Sequence, residues 1–118
     1  MNANSQQKFD IAVPGTVEGV FGAVMQVVES GPYKKVEPSP FTKMVSFRTG
    51  ASLMTWGQRW LVQVSVGVDG QPHVMATVTP RNGGQQLDAA RIAKLANEFY
   101  QKVGAAAQAA TTTEQEQT

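Results

Sequence analysis

Apolar residues recur along this chain with two different periods, and each change of period marks a change of element. Over Lys8-Phe9-Asp10-Ile11-Ala12-Val13 they fall at every second position, so that Phe9, Ile11 and Val13 share one face of a strand. Pro14-Gly15-Thr16 breaks it. From there the spacing becomes three and four: Val17, Val20, Phe21, Val24, Val27 and Val28 form one stripe of a helix. Thr16 is the expected N-cap, and Glu18 sits in the first turn, where a negative charge suits the helix dipole. Ser30-Gly31-Pro32 ends the helix, because proline cannot continue it. The many valines run against helix propensity, and the caps and the stripe outweigh them.

The middle of the chain reads as strands. Tyr33 to Glu37 is short and is stopped by Pro38-Ser39-Pro40. Lys43 to Arg48 alternates, with Val45 and Phe47 inward and Met44, Ser46 and Arg48 outward. From Arg59 to Val68 one face carries Trp60, Val62, Val64, Val66 and Val68, and the other Arg59, Leu61, Gln63 and Ser65. Asp69-Gly70 then turns the chain into His73 to Thr79. A two-residue turn there would pair Val66 with His73 and mix valines with polar residues on one face. A three-residue loop of Val68, Asp69 and Gly70 sets Val64 against Val74 and Val62 against Ala76, with Gly70 in the left-handed conformation such loops favour. The three-residue loop is the expected one.

Pro80 to Gln86 is a loop by composition. Ala89, Ile92, Leu95, Ala96, Phe99, Tyr100 and Val103 then form the stripe of a second helix, with Asp88 as its expected cap and Leu87 packing on Ile92. Gly104 is the natural stop, although Ala105 to Ala110 have the propensity to prolong the helix. The expected organisation is a flexible N-terminus at 1–7, a single α+β domain over 8–104, and an Ala-rich, then polar, disordered tail over 105–118. Two one-sided helices and five one-sided strands in the order β-α-β-β-β-β-α are satisfied by an antiparallel five-stranded sheet with both helices on one face and the other face open. A second arrangement is a minimal helix-grip fold, in which a curved sheet wraps the last helix around a cavity. The chain has few strands for that.

One loop carries a family resemblance. Gly50-Ala51-Ser52-Leu53-Met54-Thr55-Trp56-Gly57-Gln58 resembles the Gly-Ser-Leu-x-Ser-Trp-Gly-Glu loop of small uncharacterised bacterial domains, departing from it at Thr55 and Gln58. Those domains are thought to resemble one half of the TATA-box-binding-protein fold. The resemblance implies a fold and supplies no activity, and it makes Trp56, Gly57 and Gln58 a candidate loop.

Composition narrows the chemistry. The 118 residues are 42% hydrophobic, which suits an ordinary folded domain. No stretch approaches the roughly 18 consecutive apolar residues of a membrane span, and the polar opening Met1 to Gln7 lacks the apolar core of a secretory signal. There is no cysteine, which excludes disulfides, thiolate zinc sites and cysteine nucleophiles and fits a reducing cytoplasm. A net charge of +1, with basic residues spread out and Lys34-Lys35 their one adjacent pair, makes nucleic acid an improbable partner. His73 is the single histidine, so no cluster of histidines can hold a metal, and no conventional Ser-His-Asp arrangement is expected around it. On the hairpin's outward face it reads as a solvated strand residue. The carboxylates are scattered, with Asp10 in a strand, Glu37 beside a proline, Asp69 in a turn and Asp88 at a cap, and no acid/base couple is visible. Neither the 50–57 loop nor Arg81 to Gln86 ends like a phosphate-binding P-loop. No cofactor and no enzymatic activity is expected.

The open sheet face remains. Met44, Leu61 and Met75 lie on it beside Arg48 and Arg59, and methionines suit adaptable contacts. The leading expectation is a non-enzymatic interaction module that forms a homodimer or binds a protein partner through that face. The alternative is a small-molecule or lipid carrier with a cavity between the sheet and the C-terminal helix, lined by Phe21, Phe99, Val62 and Val64.

Overall fold

The computed structural model describes residues 7–31, 33–49, 58–80 and 89–117. Five strands and two helices follow in the order expected: β1 (Gln7–Ala12), α1 (Val17–Ser30), β2 (Tyr33–Ser39), β3 (Met44–Thr49), β4 (Gln58–Val66), β5 (Pro72–Pro80) and α2 (Ala89–Gln117). All neighbouring strands are antiparallel, in the spatial order β1-β5-β4-β3-β2. β1 and β2, joined in sequence only by α1, therefore occupy opposite edges. That separation makes α1 cross the whole inner face.

Local signals place α1 as expected. The Thr16 hydroxyl accepts from Gly19 N at 3.0 Å, satisfying one of the helix's orphan amides. Its buried stripe is Val20, Phe21, Ala23, Val24, Val27 and Val28. The β4–β5 hairpin adopts the three-residue loop: Val64 faces Val74, Val62 faces Ala76, and Gly67 N donates to Gln71 O at 2.8 Å. Gly70 has a φ of +80°, the left-handed conformation that the loop demands and glycine tolerates. β2 pairs with β3 through a bulge between Lys34 and Glu37, with Lys35 at a φ of +53°.

The core lies between the sheet's inner face and the two helices. Val45, Phe47, Trp60, Val62, Val64, Val74, Ala76 and Val78 come from the strands, and Ile92, Ala96, Phe99, Tyr100 and Val103 from α2. Aromatic rings fill the space between α2 and β2–β4. The Phe99 ring lies 5.7 Å from Trp60, 6.0 Å from Phe47 and 6.3 Å from Tyr33, and Phe47 stacks on Trp60 at 5.6 Å. Large side chains let a helix sit well off a sheet while leaving no void. Among the described residues nothing accepts from the buried Trp60 Nε1.

Tyr100 ties α2 to the sheet's other side. Its hydroxyl donates to Phe9 O at 2.6 Å and approaches Val74 O at 3.3 Å, bridging the β1–β5 seam. Burial pushes its phenol well above the ordinary tyrosine range.

Several positions depart from the periodicity, among them Val68, which lies beyond the end of β4 and is fully exposed, and Pro38, which lies inside β2 instead of stopping it. The expected stop at Gly104 is absent, and α2 continues as far as Gln117 through the segment read as a disordered tail. Val103 and Ala107, one turn apart, are both buried, and that continuous stripe outweighs the roughly 1 kcal/mol a helical glycine costs. Val66 has the parity of the inner face yet is 62% exposed at the hairpin end of β4. Ile11, on the edge strand β1, is likewise exposed, although Val13 beyond it is buried. The caps Leu87 and Asp88 lie outside the described residues.

Candidate functional site

The pairing registers convert the outer sheet face into rows. One row runs Lys34, Arg48, Arg59, Thr79, the next Glu37, Ser46, Leu61, Thr77, Lys8, and a third Ser39, Met44, Gln63, Met75, Asp10. Neither α1 nor α2 packs on these rows. Met44 and Met75 flank Gln63, and Leu61 lies diagonally between them one row away. Leu61 and Met75 are each 39% exposed, while Met44 is half-buried. The five residues expected on this face are therefore together on it, as two adjoining groups: an apolar trio, and the directly opposed pair Arg48 and Arg59.

The candidate loop divides differently. Trp56 and Gly57 lie outside the described residues. Gln58 is the first residue of β4 and is buried at 3% exposure. Its amide nitrogen donates to the Thr49 hydroxyl at 2.8 Å, and that hydroxyl donates in turn to Gln58 Oε1 at 2.8 Å. Both of these contacts are internal, which makes Gln58 a clamp between β3 and β4.

His73 occupies a site that the linear sequence does not display. Because β1 lies beside β5, Asp10 meets the imidazole from one side, with Nδ1 3.0 Å from its Oδ1. The hairpin loop brings Asp69 to the other side, 3.0 Å from Nε2. Asp69 and then Asp10 raise the histidine pKa by hydrogen bonding to its charged form. Asp69 is held below the usual carboxylate range, first by the Gln71 amide and then by His73. A Cβ built on Gly67 would collide with the His73 ring, so the ring's seat depends on a glycine there. With both nitrogens engaged, this imidazole is a bridge between β1 and the β4–β5 loop, and neither nitrogen is poised as a base. Among the described residues no cluster of His, Cys, Asp or Glu could hold a metal ion.

The described surface is grooved on both sides of the sheet. One groove, of about 450 Å³, is lined on the outer face by Lys35, Glu37, Ser46, Phe47, Arg48 and Arg59. Another, of about 590 Å³, lies between the β1–α1 corner and the later turns of α2, against Val13, Pro14, Gly15, Gly104, Ala107 and Gln108. The residues expected to line a carrier cavity, Phe21, Phe99, Val62 and Val64, line neither. They are buried in the packed core, where the aromatic cluster fills the space between sheet and helix. The sequence signals for the second groove were Gly15 and Gly104, read as helix punctuation.

No family model matches the chain, and no curated protein matches its sequence. In fold it is similar to a protein of known structure. The crystal structure of Ara h 8.0201 superposes with a TM-score of 0.64 at 9% identity, covering 88% of this chain and 97% of that one. At that identity the likeness is one of α+β fold alone. The half-TATA-box-binding-protein arrangement finds no support in this match, and the 50–57 part of the loop that suggested it lies outside the described residues. Among the described residues no helix is long and apolar enough to cross a membrane.

Proposed function

We propose that this domain is a non-catalytic carrier that takes up a small, largely apolar molecule in the groove between the β1–α1 corner and α2. The observation that carries the reading is the groove itself. Its volume of about 590 Å³ falls within the range of small-molecule sites, and its walls are valine, proline, glycine and alanine with Gln108 as their polar side chain. Small residues open the space: Gly15 and Gly104 contribute no side chain, and a Cβ at Gly104 would meet nothing within 4 Å. An apolar body with one hydrogen-bonding group matches that lining. The engagement of both His73 nitrogens by carboxylates favours carriage over chemistry.

The test is Gly104→Leu, probed with N-phenyl-1-naphthylamine, a neutral dye that brightens in apolar surroundings. Leucine is the better helix former by roughly 0.5–1 kcal/mol, so the variant is expected to be more stable while its side chain fills the groove. Dye brightening by the wild type and its loss in the stabilised variant support the reading. Equal brightening in both, or none in either, removes it.

A second reading, association through the outer face, is favoured by the exposure of Leu61 and Met75 beside Met44. It requires a dimer by light scattering that Met75→Lys converts to monomer.

A further inference from the structure

The outer face also holds a row of cations. Arg48 is the direct cross-strand partner of Arg59, and Lys34 is the direct partner of Arg48, so three positive side chains stand abreast on β2, β3 and β4. Like charges placed directly opposite destabilise a sheet. Among the described residues neither arginine has a carboxylate within ion-pairing reach. Beside the row the β2 bulge inserts one extra residue, Lys35, with a φ of +53° that a non-glycine residue adopts only at a cost. Lys35 thereby lines the same groove as the two arginines, along with the Ser46 hydroxyl. Glu37 is the acid among those lining residues, leaving three cations to one carboxylate. Two arginine forks side by side present paired donors at the spacing that anionic oxygens accept, and a lysine adds a point charge.

We propose that the Arg48–Arg59 groove of about 450 Å³ binds a small phosphate-bearing anion, gripped by the two guanidinium groups with Lys35 and Ser46 at its edge. The groove lies across the sheet from α2 and stands independently of the carrier reading. The charge repulsion within the row is relieved when the anion is bound, so occupancy stabilises the fold.

Calorimetry and amide NMR with sodium pyrophosphate at low ionic strength test this. Saturable binding is expected, with shifts confined to β2, β3 and β4. Arg48→Gln and Arg59→Gln should each weaken it about tenfold or more, the scale of one lost charge-assisted contact. Lys94→Gln, an exposed site on α2, should leave it unchanged. Without pyrophosphate, Arg59→Gln should melt no lower than wild type, because it removes repulsion. Tighter binding to vesicles containing phosphatidic acid, lost in the same two arginine variants, would assign the phosphate to a lipid headgroup and still support the site. The site is overturned by the absence of binding to both probes, by arginine variants that bind as wild type does, or by an equal loss in Lys94→Gln.

Discussion

Tyr100→Phe isolates the bond that fastens α2 to the β1–β5 seam. The change removes one oxygen from a side chain only 7% exposed and leaves the ring's packing against Phe99 in place. What is lost is a 2.6 Å hydrogen bond to Phe9 O, with its weaker companion to Val74 O. A buried bond of this kind contributes about 1 kcal/mol net, and leaving its acceptor dry adds a fraction more, giving about 1.5 kcal/mol. At an unfolding entropy of about 2.1 cal/mol/K per residue, a chain of this length should melt about 6 °C lower. With a urea dependence of 1–3 kcal/mol/M, the denaturation midpoint should fall by roughly 0.5–1.5 M. Tryptophan fluorescence in urea and calorimetric melting give both figures. An alkaline titration followed at 295 nm adds a check on the cause. Burial raises both Tyr100 and Tyr33 above the ordinary value of 10.0, so the fold favours the neutral phenols. That contribution is fully present below pH 10 and is lost as pH rises from there towards the folded values. Wild type should therefore lose stability above pH 10 more steeply than Tyr100→Phe. Unchanged urea and thermal midpoints, or a phenol that ionises near pH 10 in the native wild type and is missing from Tyr100→Phe, would refute the assignment.

Other perturbations follow from equally specific contacts. Thr16→Ala removes the cap on Gly19 N and should cost about 1 kcal/mol, seen as a lower urea midpoint with an unchanged slope. Phe99→Ala empties the centre of the aromatic cluster and should cost about 3–5 kcal/mol, enough to leave a marginal fold on thermal denaturation. His73 should titrate by NMR above its ordinary 6.5, and Gly67→Ala, by displacing the ring from Asp10 and Asp69, should return it towards that value. Because its folded pKa is raised, the His73 bridge stabilises fully below pH 6.5 and loses that contribution as pH rises through the folded value. Stability measured from pH 6 to 8 should fall in wild type relative to His73→Asn, and parallel curves would disprove the linkage.

Much of this fold was legible in the residues because the signals concerned are local. A period of two or of three and four, a threonine before a valine stripe, and a glycine at the end of an Asp-Gly loop each act over a few residues of chain. That is why β1 to β5, the limits of α1 and the Val64–Val74 register follow from sequence. So does the open face, since alternation assigns Met44, Arg48, Arg59, Leu61 and Met75 to the side away from the valines. Gly104 shows the limit of a local rule. A glycine ends a helix only if nothing buried lies beyond it, and Ala107 lies beyond it.

Strand order was decided elsewhere. Placing β1 next to β5 is a matter of which edges pair when α1 crosses the inner face, and no short-range pattern encodes it. Two features depend on that choice, the carboxylates on both sides of His73 and the Tyr100 bond across the seam, while the three cations abreast depend on the registers of β2, β3 and β4. The groove beside α2 likewise arises where two glycines distant in sequence, one at the β1–α1 corner and one within α2, come to line the same space. Periodicity determines which face a side chain occupies, whereas its neighbours across a strand or a helix are set by the free energy of the assembled core.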